Sequence, residues 1–124
     1  PADQLAAAAT ARRVAYAAEH LARDYAKRAR AEGRSWAQVA QALQFDHDGH
    51  DDPGIAAFHW VAPTPSQPYD QVLLWWECAT CGARVTDRGP FSGHPDDVEE
   101  GHRESCDRHL DEIKEFRQQT GWDD

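Results

Sequence analysis

Three cysteines and a histidine have residue types and spacings that suit a metal site. Cys78 and Cys81 form a Cys-x-x-Cys turn followed by Gly82, and His102 precedes Cys106 by four residues. Thiolate sulfur and imidazole nitrogen are ligands of tetrahedral zinc sites, and glycine permits the backbone conformation that such a turn needs. The pattern predicts one zinc ion held by Cys78, Cys81, His102 and Cys106.

Two further histidines are alternative ligands. His109 lies seven residues after His102, on the same face if the segment is helical, so His109 is the alternate fourth ligand. His94 is a weaker substitute. Either choice gives four protein ligands, whereas a catalytic zinc ion keeps one position open for water. We therefore expect a structural zinc ion and no enzymatic activity, with a zinc-dependent hydrolase as the remote alternative.

The surrounding segments predict how these ligands are positioned. Residues 71–77 (QVLLWWE) have the composition of a strand, and residues 83–86 that of its hairpin partner. Trp75 and Trp76 are neighbours in this strand and should face opposite sides of it. A helical pattern from residue 95 or 96 to residue 119 would place the last two ligands one turn apart on one face. The ligands should therefore converge between a hairpin and a helix.

This order of elements resembles the strand-strand-helix zinc finger. The resemblance covers residues 72–117 and rests on the Cys-x-x-Cys turn, the hairpin and the His-x-x-x-Cys pair. The chain differs by a longer loop before the helix and by Cys106 at the last ligand position. The resemblance implies a structural zinc ion, and a module this short needs a metal to fold.

Residues 4–32 are predicted to form one long helix, because they lack proline and glycine and are rich in alanine, and Gly33 suits its end. At about 100° per residue, one side of this helix is apolar and another is basic. The apolar side comprises Val14, Ala18, Leu21, Ala22, Tyr25 and Ala29. The basic stripe comprises Arg12, Arg23, Lys27, Arg30 and Arg34. This stripe is either a contact for nucleic-acid phosphates or a solvated polar face, and the sequence leaves both open.

Two short helices are predicted to follow. Ser35 and Gln38 have the spacing of a capping box, and Asp52 and Pro53 suit the N-cap and first position of a third helix. Residues 31–43 (AEGRSWAQVAQAL) resemble the first helix and entry turn of helix-turn-helix modules in bacterial regulators. The resemblance implies double-stranded DNA as a partner, with the next helix entering the major groove.

The segment after this resemblance departs from the helix-turn-helix pattern. An acidic loop at residues 45–52 replaces the short turn, and the third helix offers only His59 as a cation. Acidic side chains next to phosphate are electrostatically unfavourable. The basic stripe of the long helix is therefore the better candidate for contact with DNA.

Charge is distributed unevenly along the chain, whose formal net charge is -9. Residues 1–34 carry seven Lys or Arg and four Asp or Glu. The rest of the chain carries six Lys or Arg and 18 Asp or Glu. This asymmetry suggests one surface for a polyanion and another for a basic partner. The leading hypothesis is a small DNA-associated transcription regulator. The alternative is a protein-protein adaptor or inhibitor, of the antirepressor or immunity type, whose acidic zinc module binds a basic protein.

The predicted fold class is α+β, in three segments. Residues 1–62 form a helical unit, residues 63–69 a proline-rich connector, and residues 70–124 the zinc-bound hairpin and helix. Because the chain has an odd number of cysteines and no apolar run of about 18 residues, we expect a cytoplasmic protein that does not enter the membrane. The alanine-rich helix could pair with a copy of itself, and the pattern leaves the oligomeric state open.

Overall fold

The protein has the predicted α+β fold. A computed structural model describes residues 3–45, 51–63, 74–91 and 93–121. Its elements are α1 (Gln4–Ala31), α2 (Trp36–Ala42), α3 (Pro53–Val61), β1 (Leu74–Glu77), β2 (Arg84–Asp87), α4 (Pro95–Val98), β3 (Glu99–Glu100) and α5 (Asp107–Thr120). Nearly all of the predicted connector, most of the acidic loop and the first three residues of the predicted strand lie outside the described residues, so the division into segments stays a prediction.

The ends of the three N-terminal helices follow from capping residues. Asp3 accepts hydrogen bonds from the first turn of α1, and Gly33 takes a left-handed φ of 100° just after its end. Ser35 and Gln38 form the predicted reciprocal capping box at the start of α2. Asp52 accepts a hydrogen bond from the backbone of α3. The sequence therefore predicted these boundaries to within about one residue.

Three antiparallel strands form a small sheet in the order β1-β2-β3. Trp75 lies opposite Thr86 and Trp76 opposite Val85, as expected for a hairpin. Trp76 is buried, whereas Trp75 is 42% exposed, which confirms that the two indoles face opposite sides. β3 adds a third strand, which the sequence pattern did not predict.

The predicted single helix from residue 95 or 96 to residue 119 is wrong. The segment divides into α4, β3, a loop at residues 101–106, and α5. Gly101 has a φ of 118°, which an α-helix does not allow, and a Cβ atom there would collide with the carbonyl oxygen of Arg84. The backbone must therefore leave the helical path at this glycine.

Within the described part of the chain, two clusters of buried residues form the core, and β1 contributes to both. One cluster joins the helices to the start of β1 through Trp36, Phe58 and Leu74. The other joins the end of α1 to the sheet and the cysteines through Trp76 and Val85. Alternate residues of one strand thus reach both clusters, and the helical and cysteine-bearing parts pack against one another.

A buried carboxylate connects these parts. Asp87, at the end of β2, is fully buried and accepts a hydrogen bond from Arg30 Nε at 2.8 Å. It also accepts hydrogen bonds from the indole nitrogens of Trp36 and Trp76, at 3.1 and 2.9 Å, and from the backbone of Gly89 at 2.9 Å. Four donors from four segments satisfy both oxygens, which offsets the cost of burying the charge.

The sequence left the basic stripe of α1 open as a phosphate contact or a solvated face, but three of its five members pack on the rest of the protein. Arg23 and Lys27 are half-buried, and Arg30 is only 5% exposed. On the predicted apolar side, Leu21 and Tyr25 are 56% and 62% exposed. The facing elements carry aromatic rings and carboxylates, which form cation–π contacts and ion pairs with these basic side chains. The basic side of α1 is therefore buried, whereas an amphipathic helix usually buries its apolar side. None of the helices in the described ranges is long and apolar enough to span a bilayer.

Replacing Asp87 tests this connection. We expect Asp87→Ala to reduce the free energy of unfolding by about 3–5 kcal/mol, because Arg30 would stay buried without its partner. Urea denaturation followed by tryptophan fluorescence measures the change. Glu100→Ala is the control, since Glu100 and Arg88 form a half-exposed ion pair at 3.1 Å and should change stability by less than about 1 kcal/mol. Equal effects of the two substitutions would contradict the proposed importance of the buried pair.

Candidate metal centre

The first two cysteines lie in the turn between β1 and β2. Cys78 follows β1 directly, and its N–H donates to the carbonyl oxygen of Ala83 at 2.9 Å. The N–H of Gly82 donates back to the carbonyl oxygen of Cys78 at 2.8 Å, and Gly82 has a φ of 75°. This tight turn directs the sulfurs of Cys78 and Cys81 to the same side, as the Cys-x-x-Cys spacing predicted.

The other two side chains come from the loop between β3 and α5, and not from one helix. His102 follows Gly101, while Cys106 is the N-cap residue of α5. The Cys106 N–H donates to the carbonyl oxygen of Arg103 at 2.9 Å, which closes a second tight turn. The predicted helical spacing of His102 and Cys106 is therefore wrong, although the two side chains do converge.

The four ligand atoms form one compact cluster. The sulfurs of Cys78 and Cys106 are 3.9 Å apart, and the sulfur of Cys81 is 3.8 Å from His102 Nδ1. All four ligand atoms lie within 4.8 Å of one another. Tetrahedral bonds of about 2.3 Å would separate neighbouring sulfurs by about 3.8 Å, so the cluster could hold one metal ion.

The ring of His102 is held from several sides. Its Nδ1 faces the sulfurs, and its Nε2 lies 3.0 Å from Glu99 Oε1. One face stacks on His109 at a centroid distance of 4.3 Å, and Trp76 meets it at 5.9 Å in an edge-on arrangement. The side chain is only 1% exposed. This packing fixes the orientation in which Nδ1 is the available ligand atom.

The structure places neither alternative histidine with the sulfurs. His109 lies 2.7 Å from Asp96 through Nε2 and 3.4 Å from Glu112 through Nδ1. His94 is the N-cap residue of α4, where its Nδ1 accepts a hydrogen bond from the N–H of Asp96 at 3.1 Å. His102 is therefore the histidine of the cluster, and His109 supports it by stacking.

Glu99 and Arg108 surround the cluster on the side of α5. Glu99 Oε1 accepts from Arg108 Nη2 at 2.9 Å as well as contacting His102, and Glu99 Oε2 lies 3.5 Å from Arg30 Nη2. Burial works to raise the pKa of Glu99, but the hydrogen bond to His102 and the two guanidinium charges lower it to about 2. Arg108 Nη1 also lies 3.6 Å from the sulfur of Cys78. A carboxylate on the outer nitrogen of a ligating histidine is the usual support of such a ligand.

A second group of possible ligands overlaps the first. Glu99, His102, His109 and Glu112 also bring four ligand atoms within 4.8 Å of one another. Arg108 already bonds one oxygen of each carboxylate, at 2.9 Å each. Its positive charge would repel a cation bound between them, which makes the sulfur-containing cluster the better metal site.

The surroundings also set the protonation of the ligands. Burial works to lower the pKa of His102, but Glu99 and Cys81 outweigh it and raise this pKa to about 9. Burial works to raise the pKa of Cys81, but backbone hydrogen bonds, chiefly at Arg103, lower it to about 6. Burial is the main cause that raises the pKa of Cys106 to about 11. Near neutral pH, a metal ion would therefore bind the thiolate of Cys81 directly and displace protons from His102 and Cys106.

The cluster is attached to the end of α1. The N–H of Ala79, in the turn between β1 and β2, donates to the carbonyl oxygen of Ala31 at 3.0 Å. Arg108 Nη1 donates to the same carbonyl oxygen at 2.7 Å. Arg103 Nε donates to the carbonyl oxygen of Cys81 at 2.8 Å and joins the two ligand-bearing turns. The cysteine-histidine cluster and the long helix therefore share one hydrogen-bonded region.

The five predicted nucleic-acid contacts do not form one exposed stripe. Arg12 and Arg34 are exposed. Arg23 donates to the carbonyl oxygen of Trp60 at 2.9 Å, at the end of α3, and lies over the Trp60 ring. Lys27 lies over the ring of Trp75 at 5.2 Å.

Arg30 is the member of the stripe that the structure excludes as a surface contact. It is buried between the rings of Trp36 and Trp76 and bonds to Asp87, as described above. Its Nη1 also donates to the carbonyl oxygen of Arg34 at 2.8 Å. Its Nη2 lies 3.5 Å from Glu99 Oε2. All three nitrogens of Arg30 therefore face acceptors within the protein, and the buried guanidinium cannot reach a phosphate without disrupting the core.

Sequence reasoning missed the residues that support the cluster. Glu99 stands three positions before His102, and Arg108 stands two positions after Cys106. An acidic residue close in sequence to a ligating histidine is a recognisable signal for its outer partner. Gly101 was also informative, because glycine within a helical pattern favours a break.

No protein-family model, curated protein or solved structure matches this chain. The similarities to a zinc finger and to a helix-turn-helix module therefore rest on the residues named above.

Glu99 offers a test of the outer support. We expect Glu99→Gln to weaken binding of Zn²⁺ by roughly tenfold to a hundredfold, because the amide lacks the charge that holds His102 in place. Competition with a chromogenic chelator measures the affinity. Glu100→Gln, one residue further along β3 and exposed, is the matched control and should bind as the parent protein does. An unchanged affinity in Glu99→Gln would show that the carboxylate does not support the ligand.

Proposed function

We propose that this chain is a zinc-binding protein without catalytic activity, in which one structural Zn²⁺ ion is held by Cys78, Cys81, His102 and Cys106. The observation that carries the proposal is the convergence of four ligand atoms at the separations of a tetrahedral site. Three sulfurs and one imidazole nitrogen are a common ligand set of structural zinc sites, and soft thiolates disfavour magnesium and calcium.

The character of the cluster supports a structural rather than a catalytic ion. Four protein ligands fill a tetrahedral shell, so no position is left for the water that a hydrolase would activate. Cys78 and Cys106 are each 2% exposed, which keeps substrate away from them. Glu99, the nearest carboxylate, is bonded to His102 and Arg108 and is not directed at a water position. These features argue against the zinc-dependent hydrolase.

The ion would join two short segments, whose other links include the hydrogen bond from Arg103 to Cys81 and the short β2-β3 pairing. The first pair of ligands lies in the β1-β2 turn, and the second lies in the loop that starts α5. Within the described residues, β3 contributes two residues to the sheet and α4 is a single turn. Apolar burial alone is small in such a module, so metal binding would supply much of its folding free energy.

Metal analysis tests this proposal. We expect close to one zinc ion per chain in purified protein and loss of the metal in Cys78→Ser, with a lower melting temperature and loss of near-ultraviolet circular dichroism. Ala79→Ser is the control, since Ala79 is exposed in the same turn and is not a ligand. Full metal content in Cys78→Ser, or unchanged melting of the parent protein in excess chelator, would refute the structural zinc ion.

For the biological role, we propose a binding module for a basic protein partner in preference to double-stranded DNA. Exposed acidic residues extend from α4 to α5, and they comprise Asp96, Asp97, Glu100, Glu104, Asp107, Asp111 and Glu115. Of the basic stripe, Arg30 is buried and Arg23 and Lys27 pack on tryptophans, which weakens the DNA-associated regulator. A net charge of -9 also opposes approach to a polyanion.

Binding of a lysine-rich peptide and binding of duplex DNA distinguish the basic-partner role from the DNA-associated role. We expect a lysine-rich peptide to bind with an affinity that falls as the salt concentration rises. The double variant Asp111→Lys, Glu115→Lys should bind this peptide at least about tenfold more weakly. Duplex DNA should not bind at low salt. Arg12→Ala with Arg34→Ala is the matched control and should not weaken binding of the peptide. Salt-dependent duplex binding that these arginine substitutions abolish would favour the DNA hypothesis instead.

A further inference from the structure

The outward side of α1 carries a regular apolar seam. Large apolar residues on it are Val14, Leu21 and Tyr25, which are 64%, 56% and 62% exposed. Together with alanines they recur at alternating intervals of three and four residues, the spacing of a coiled-coil seam. The seam comprises Gln4, Ala7, Ala11, Val14, Ala18, Leu21, Tyr25 and Arg28, all of which are exposed.

This seam lies away from the rest of the protein. At about 100° per residue, its centre is roughly 150° around the helix from the side that contains Arg23, Ala26 and Arg30. Every residue from Gln4 to His20 is exposed, so the first part of α1 projects from the body as a rod about 26 Å long. A helix from another molecule could therefore lie along the seam without contacting the body of the chain that it binds.

We propose that the seam pairs with the same seam of a second copy of this chain, with the two helices antiparallel. The argument is the order of residue sizes along the helix. Small seam residues, Ala7 and Ala11, come first, and large ones, Leu21 and Tyr25, come last. Antiparallel pairing places Ala7 opposite Tyr25, Ala11 opposite Leu21, and Val14 opposite Ala18 in successive layers.

The antiparallel register keeps the separation of the helices constant. Between the polar ends formed by Gln4 and Arg28, each layer contains one larger and one smaller side chain, so these layers fill similar volumes. A parallel pair would place Tyr25 against Tyr25 and Ala11 against Ala11, which would force the helices apart at one end and leave voids at the other. The seam is therefore complementary to its own reverse, and this singles out a second copy as the partner.

The residues that border the seam agree with this arrangement. Ala8, Ala15 and Ala22 line one border, and Thr10, Ala17 and Asp24 line the other. All but Asp24 are small, and such side chains let helix axes approach to about 8 Å, the low end of the usual range. In the same register, Arg28 of one copy lies next to Gln4 and Asp3 of the other, so opposite charges meet at both ends.

The size of the seam sets the expected strength. From Gln4 to Arg28 it is about 36 Å long, and a strip of that length and helical width buries on the order of 500 Å² per copy, at the low end of specific interfaces. We expect a dissociation constant in the micromolar range, roughly 1–100 μM. The contact involves no metal ligand, so it does not depend on the proposed zinc ion.

Sedimentation equilibrium of the full chain, from about 1 μM to about 1 mM, tests the pairing. We expect a monomer-dimer equilibrium, and we expect Leu21→Lys to weaken it at least tenfold without loss of helical circular dichroism. The matched control is Tyr16→Lys, because Tyr16 is as exposed as Tyr25 but lies on the other side of α1. It should change the dissociation constant by less than twofold. A chain that stays monomeric throughout, or equal weakening by both substitutions, would overturn the proposal.

Cross-linking tests the direction of the helices. We expect Gln4→Cys mixed with Arg28→Cys to give a cross-linked heterodimer, because antiparallel pairing brings these positions together. Each variant alone should give little cross-linked product. Efficient cross-linking of each variant with itself would indicate parallel pairing and would overturn the antiparallel seam.

Discussion

The buried ion pair between Arg30 and Asp87 joins the helical part of this fold to its sheet. It joins residues that are 57 positions apart, and Asp87 is completely buried. A buried carboxylate without donors would be very costly, so the fold must keep α1, α2 and both hairpin strands together around it. The indoles of Trp36 and Trp76 serve twice, since each donates a hydrogen bond to Asp87 and each lies against the guanidinium of Arg30. Separating the helical part from the sheet would expose all of these groups at once.

The same arginine reaches the candidate metal centre. Arg30 contacts Glu99, and Glu99 contacts His102, so a single residue connects the buried ion pair to a candidate metal ligand. A ligand that binds only the folded protein stabilises the whole cooperative unit. Zinc binding would therefore stabilise the position of α1 as well as that of the two ligand-bearing turns. Conversely, packing of α1 on the sheet would orient Glu99 in advance and make the ligand set more rigid.

The sequence predicted features with local signals and missed those that depend on distant partners. The capping box at Ser35, the hairpin and the four candidate ligands each have a characteristic spacing, and the structure brings them into place. Gly101 also has a local signal for a break, although the helical pattern on both sides of it predicts a continuous helix. Burial of Arg30 had no local signal, because it depends on Asp87 and two tryptophans from three other segments. Periodicity alone therefore does not show which side of α1 faces the core.

The reversed orientation of α1 gives its projecting part an unusual role. An isolated helix of that length is marginal in water, even when it is rich in alanine, because the first turn is costly to form. Here the last turns are fixed by Arg23, Arg30 and the hydrogen bonds at Ala31, so the helix needs no separate nucleation and can extend outward from an anchored end. The apolar seam is then already ordered before a partner arrives, which lowers the entropic cost of association. A short seam of mostly small residues would bind only weakly if the helix had to become ordered on binding. The buried charge network would therefore make self-association possible, although none of its residues lies in the interface.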